Sequence, residues 1–322
     1  MDQFLQALIN GVLLGGFYAA MVLGFSIIWG VMGVINLAHG EFILIGAYLT
    51  WLLSEPPDYL RSQINFPGLH PLFNFMERVG FTGMDPFMAL LIILPLMFIF
   101  GYLLQKYLIN RVVEKPHLVS LLVTFGLSIV MANIAKLLFT ASPRSVDVAY
   151  SGALRMGDLT FSNIKTLVFF GALVMLAGLY VFLHYTRLGK SIRAAAQNKT
   201  AARMVGIEID TVYAITFGIC VALTGAAGML ISPTQAIFPF MGPPLTLRAF
   251  TITALGGLGS IPGALLGGLI LGVTETMIAT FVPRVGTNLA IVASFAILVI
   301  ILVTRPQGLL SGLRPMQVEE GT

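Results

Sequence analysis

Asn36, His39 and Glu41 sit close together in the stretch GVINLAHGEFILIGAY, residues 33–48, and the surrounding residues from Phe4 to Leu53 contain no Lys or Arg. A histidine two positions from a glutamate is raw material for a proton or ion relay, and a second carboxylate, Glu275, lies in another apolar stretch far along the chain. A metal centre is not supported. The other histidines, His70, His117 and His184, fall in separate segments, and the single cysteine, Cys220, allows neither a cysteine ligand set nor an internal disulfide. No G-x-S-x-G, H-E-x-x-H or close carboxylate pair occurs, the spacings that would bring a nucleophile, a base or a metal-bound water to a substrate. The chain itself is therefore expected to do no enzymatic chemistry and to bind no cofactor.

The elements that must position these residues are membrane helices. The chain has 322 residues, 57% of them hydrophobic and 10% charged, against roughly 25% charged in soluble domains, and its mean hydropathy is +0.92. Apolar runs fall near residues 4–24, 25–53, 86–108, 118–139, 164–185, 211–231, 248–280 and 287–304. Lipid offers no partners for backbone N–H and C=O groups, so runs of this length must be helices. The expected fold is an all-α integral membrane protein: a polytopic bundle of about eight crossings plus two interrupted segments, with a pseudo-repeat of two halves. One transmembrane domain over 1–310 and a short tail over 311–322 complete the layout. The first run lacks the basic leader of a signal peptide and reads as a retained helix. In such surroundings an unpaired charge costs about 2.5 kcal/mol or more, which makes Glu41 and Glu275 functional candidates by default.

Two of the runs are too long for a simple crossing and are broken near the middle. The first breaks at NLAHGE and the second at GGLGSIPG, residues 256–263. Paired interruptions point to a solute path between repeats, so Asn36, His39, Gly40 and Glu41 are candidate path or gate residues, together with Gly256, Gly257, Gly259, Pro262, Gly263 and Glu275. Each run is expected to enter as a half-helix, reverse and leave as a full helix, which puts both termini on the cytoplasmic side. Gly263 and Gly267, like Gly268 and Gly272, have the spacing that lets membrane helices pack backbone to backbone, so packing stands as an equal alternative for these glycines. The glycine cluster is no dinucleotide fingerprint, because Pro262 occupies its third glycine position.

Lys and Arg are densest in the polar segment 187–209, which therefore faces the cytoplasm; the stretches 54–85 and 140–163 then face outward, the former with a short surface helix near residues 70–79. Arg187, Lys190, Arg193, Lys199 and Arg203, with Ala194, Ala195 and Ala196 and a helix stop at Gly206, describe a short basic helix able to lie in the groove of a cytoplasmic partner. The alternative is an ordinary basic loop held to anionic lipid. Gly189-Lys190-Ser191 is not a phosphate-binding loop, since His184 stands where its first glycine is needed. Nothing indicates nucleic acid.

GVMGVINLAHGEFILIGAY, GKSIRAAAQNKTAARMVGI and ALGGLGSIPGALLGG occur in this order in the chain, and over Phe4 to Leu310 the sequence resembles the permease family of ATP-driven importers for branched-chain amino acids, in particular the shorter of two paired permeases. The resemblance implies a subunit of the bacterial inner membrane that works with a second homologous permease, two ATP-binding subunits and an extracytoplasmic binding protein, ATP being bound by the partners. It places the coupling contact on 187–209, although Ala194 stands where many other importer classes have a glutamate. Importers of urea, short amides and other small solutes share the family. A stand-alone ion-coupled transporter or channel using His39, Glu41 and Glu275 is the competing class.

Overall fold

The computed structural model describes residues 2–64, 66–282, 286–305 and 308–310; the tail 311–322 lies outside the described residues. The chain runs through α1 (Asp2–Met32), α2 (His39–Ser54), the short surface helices α3 (Pro57–Gln63) and α4 (His70–Arg78), α5 (Pro86–Tyr107) and α6 (His117–Phe139). A hairpin of β1 (Ala153–Met156) and β2 (Leu159–Ser162) leads into α7 (Asn163–Tyr185). Then come α8 (Arg187–Gln197), α9 (Lys199–Met204), α10 (Ile209–Ile231), α11 (Gly242–Gly256), α12 (Ile261–Phe281) and α13 (Gly286–Thr304). Among the described residues α1, α5, α6, α7, α10 and α12 are each long and apolar enough to cross a bilayer, and α13 contributes a shorter apolar stretch. The protein is an all-α polytopic membrane protein.

α1 and α10 form the centre, buried on nearly all sides. Their neighbours approach through glycine. Gly11 and Gly15 of α1 meet Gly268 and Gly272 of α12 so closely that a Cβ on Gly15 would lie 2.7 Å from the Leu269 Cα, and one on Gly272 would lie 2.5 Å from the Gly15 nitrogen. Small residues one turn apart allow this, and with no water to expel between membrane helices, close van der Waals packing is what holds them. Gly263 and Gly267 serve α11 in the same way, facing the Gly256 and Ile252 carbonyls. These glycines are packing surfaces.

The two interrupted runs differ from one another. α11 ends at Gly256, the chain turns through Gly257 (φ 103°) and Gly259 (φ 75°), and α12 leaves from a Ser260 cap that accepts the Gly263 N–H at 3.1 Å. That is the expected half-helix and full helix. In the first run, residues 25–32 are instead the last turns of one continuous α1, and the break covers 33–38. The physical reason is that nothing between Phe4 and Met32 breaks a helix, and Gly33, at φ 65°, is the first residue that stops it.

This moves the N-terminus. The Gln6 side chain exchanges two 2.8 Å hydrogen bonds with the Thr160 backbone of β2, so α1 begins at the end of α7 remote from α8. The expectation that the N-terminus shares a face with 187–209 is corrected. α1 crosses fully and α2 completes only the return, so the pair starts and ends on the hairpin face. Residues 308–310, by contrast, fold against the end of α11, with Leu309 N–H donating to the Leu255 carbonyl at 2.9 Å.

Candidate functional site

Residues 33–38 are non-helical backbone inside a membrane bundle. His39 meets the carbonyl of Met21, about three turns before the end of α1, so the stretch climbs back by roughly 16 Å at 1.5 Å of helix rise per residue. Lipid cannot satisfy such backbone, and protein groups must. Two threonines do most of this. Thr124 of α6 accepts the Leu37 N–H at 3.2 Å and donates toward the Ile35 carbonyl at 3.2 Å. Thr246 of α11 accepts the Gly40 N–H at 2.8 Å and lies 3.3 Å from the Leu37 carbonyl. The Asn36 side chain closes a local turn by accepting the Ala38 N–H at 3.0 Å.

His39 is fully buried, its ring edge-on to Phe25 at 5.3 Å between centroids. Its Nε2 lies 2.8 Å from the Met21 carbonyl, which can only accept, so Nε2 carries the proton. Glu41 opens α2, also fully buried, and accepts from Ser128 Oγ at 3.0 Å; its second oxygen has no partner among the described residues, nor is a cation within ion-pair reach. Gly40 and Gly242 let the first turn of α2 and the start of α11 touch: a Cβ on the first would overlap the Gly242 carbonyl, and one on the second the Glu41 carboxylate. The two interrupted runs, far apart in sequence, thus meet where α2 and α11 begin, while the second break, 257–260, lies at the other end of α11, its Gly259 N–H donating to Ser26 Oγ of α1 at 3.1 Å.

Glu275 occupies a different pocket between α1, α11, α12 and α13. It accepts from Tyr18 OH at 2.5 Å, Ser294 Oγ at 2.5 Å and Arg248 Nε at 3.1 Å. Glu41 and Glu275 are therefore not one constellation. Sequence reasoning missed Thr124, Thr246, Arg248, Tyr18 and Ser294. Ser120, Thr124 and Ser128 recur every four residues on α6, a polar stripe that could have been read; Arg248 inside an apolar run was the other available signal.

The segment 187–209 is two helices. Thr186 caps α8 by accepting the Gly189 N–H at 2.9 Å, and Asn198 breaks the segment and caps α9 by accepting the Ala201 N–H at 2.9 Å. Gly206, at φ 82°, ends α9, with the Ile207 N–H returning to the Ala202 carbonyl at 3.0 Å. Ile192, Ala195 and Ala202 are buried beneath, Ala194 and Ala196 half-buried, while Arg187, Lys190 and Arg193 are exposed with Met204 and Val205 beside them. Lys199 and Arg203 are engaged within the chain: both reach Glu114, at 2.5 and 3.3 Å, in the α5–α6 connection. These two cations hold the Glu114 carboxyl below the usual glutamate range, Lys199 contributing most.

A family model described as branched-chain amino acid transport system / permease component matches residues 7–303. The chain is 29% identical over 313 residues to the high-affinity branched-chain amino acid transport system permease protein LivH of Salmonella typhimurium strain LT2, covering 95% of each chain. It is 29% identical over 314 residues to the corresponding permease protein BraD of Pseudomonas aeruginosa, covering 96% of each. The backbone also aligns with PsaBC from Streptococcus pneumoniae in complex with Fab, at a TM-score of 0.43 and 14% identity over 94% of this chain and 92% of that one, a likeness too low to bear on function.

Proposed function

This chain belongs to the family of permease components of branched-chain amino acid transport systems, and on that premise we propose that it forms half of the path of an ATP-driven importer for leucine, isoleucine and valine. Its partners in this reading are a second homologous permease, two ATP-binding subunits and an extracytoplasmic binding protein. The names of the relatives support the solute, since LivH and BraD are both branched-chain amino acid permeases. The density of basic residues on the α8–α9 face supports a cytoplasmic position for it; in this reading the hairpin, α3, α4 and the N-terminus lie outside.

The observation that carries the coupling role is the two-sidedness of α8 and α9. One side is anchored in the bundle by Ile192, Ala195 and Ala202; the other presents Arg187, Lys190, Arg193, Met204 and Val205 to the cytoplasm. A mixed basic and apolar ridge of this kind fits a groove on a protein partner. When the ATP-binding subunits close, the ridge moves with them and pulls on α7 and α10. α11 and the 33–38 stretch, joined through Thr246, then shift as the gate.

Replacing Arg187 and Arg193 together by Glu tests this in the assembled importer. Insertion into the membrane should be retained, while the ATP-binding subunits no longer co-purify or ATP no longer drives uptake. Normal ATP-driven uptake in the double variant removes the coupling assignment. Arg203 is a poor choice for this purpose, because it already spends its charge on Glu114.

A further inference from the structure

Arg248 sits on the half-helix α11, two residues beyond the threonine that holds the broken stretch. Its Nε is fixed on Glu275, six residues from the outer end of α12, and its guanidinium carbon lies 5.9 Å over the Tyr18 ring. Glu275 is itself immobilised by Tyr18 and Ser294. Only one edge of the guanidinium is used by this network. Its terminal nitrogens have no hydrogen-bond partner among the described residues, and the side chain keeps 24% of its exposure. Guanidinium donors turned toward hydrocarbon are costly and are found facing cavities or polar ligands instead. The same helix exposes Pro243, Pro244 and Leu247 beside it.

We propose that Arg248 binds the α-carboxylate of the passing amino acid, with Glu275, Tyr18 and Ser294 as positioning residues. Its planar fork offers two parallel N–H groups to a carboxylate, and Pro243, Pro244 and Leu247 offer apolar surface to an aliphatic side chain. Glu275 already compensates the arginine charge, so the grip is loose enough to release the solute onward rather than trap it. The assignment deepens the importer reading and rests on it: it makes a free carboxylate, and not only an aliphatic side chain, a requirement for passage.

The complete importer in proteoliposomes, with its binding protein and ATP inside, tests it by leucine uptake per ATP hydrolysed. Arg248→Gln is expected to lower that ratio at least tenfold while hydrolysis stimulated by leucine-loaded binding protein persists. Arg248→Gln is also combined with Glu275→Gln, which leaves no unpaired charge and so repairs any purely structural damage; the double variant is expected to remain at least tenfold down. Recovery to within twofold in the double variant overturns the proposal. Arg248→Lys, which keeps the charge but not the fork, is expected to fall at least threefold with assembly intact, and an unchanged ratio there also overturns it. If the unaltered importer moves no branched-chain amino acid, the importer reading itself fails first.

Discussion

At the scale of single residues, polar groups near the break do structural work before any other. Thr246→Val keeps the shape of the side chain but strands the Gly40 N–H and the Leu37 carbonyl, and an unsatisfied buried group costs about 1–3 kcal/mol. Thermal unfolding of the solubilised assembly should show that loss, with Thr246→Ser close to the unaltered protein. Glu41 receives one hydrogen bond from Ser128 and, among the described residues, has no cation within ion-pair reach, so Glu41→Gln should leave ATP-driven uptake within about threefold, a range corresponding to under 1 kcal/mol. Abolished uptake in an assembled Glu41→Gln importer would restore an ionic role. The cluster Asn36, His39 and Glu41 was legible in the sequence as an anomaly in an apolar run. Its partners were not, because Thr124 and Thr246 come from helices about 90 and 210 positions away, and a threonine in a membrane helix normally bonds only to its own preceding turn.

At the scale of elements, glycine spacing and charge placement decide which helices touch. Gly272 lies backbone to backbone on Gly15 and Gly11; Gly272→Leu should abolish folded yield, and Gly272→Ala should lower the unfolding temperature, both readable by fluorescence-detected gel filtration. The α9 tether to Glu114 has a defined pH sign. Its cations lower the folded-state pKa of Glu114, so the contact stabilises at pH above the ordinary glutamate value and is lost as pH falls through the lowered one. At neutral pH it is intact. Glu114→Gln should therefore raise hydrogen exchange in residues 199–204, and high salt should do the same to the unaltered protein, since an exposed pair is screened. Within 187–209 the sequence marked one short helix from Ser191 to Met204; Asn198 divides it because its side chain caps the second helix more readily than it continues the first. The basic residues could not be sorted into outward and tethered sets without knowing where Glu114 lies.

For the molecule as a whole, the two interrupted runs touch where α2 and α11 begin, beside the central α1 and α10, and a basic ridge stands at one face. The break positions and the ridge could be read from composition, but the crossing parity could not, because residues 25–32 are equally apolar as the end of α1 or as a separate half-helix. The topology is checked by single-cysteine labelling in intact cells. Gln3→Cys should react with an impermeant maleimide from outside and Arg187→Cys only after permeabilisation, whereas Cys220, fully buried, should react in neither case. The most direct test of the central claim is leucine uptake into proteoliposomes containing this chain alone or the complete set of permeases, ATP-binding subunits and binding protein. The complete set should take up leucine only with ATP, and the single chain should take up none under any proton or sodium gradient. Gradient-driven uptake by the single chain, indifferent to ATP, would contradict the account.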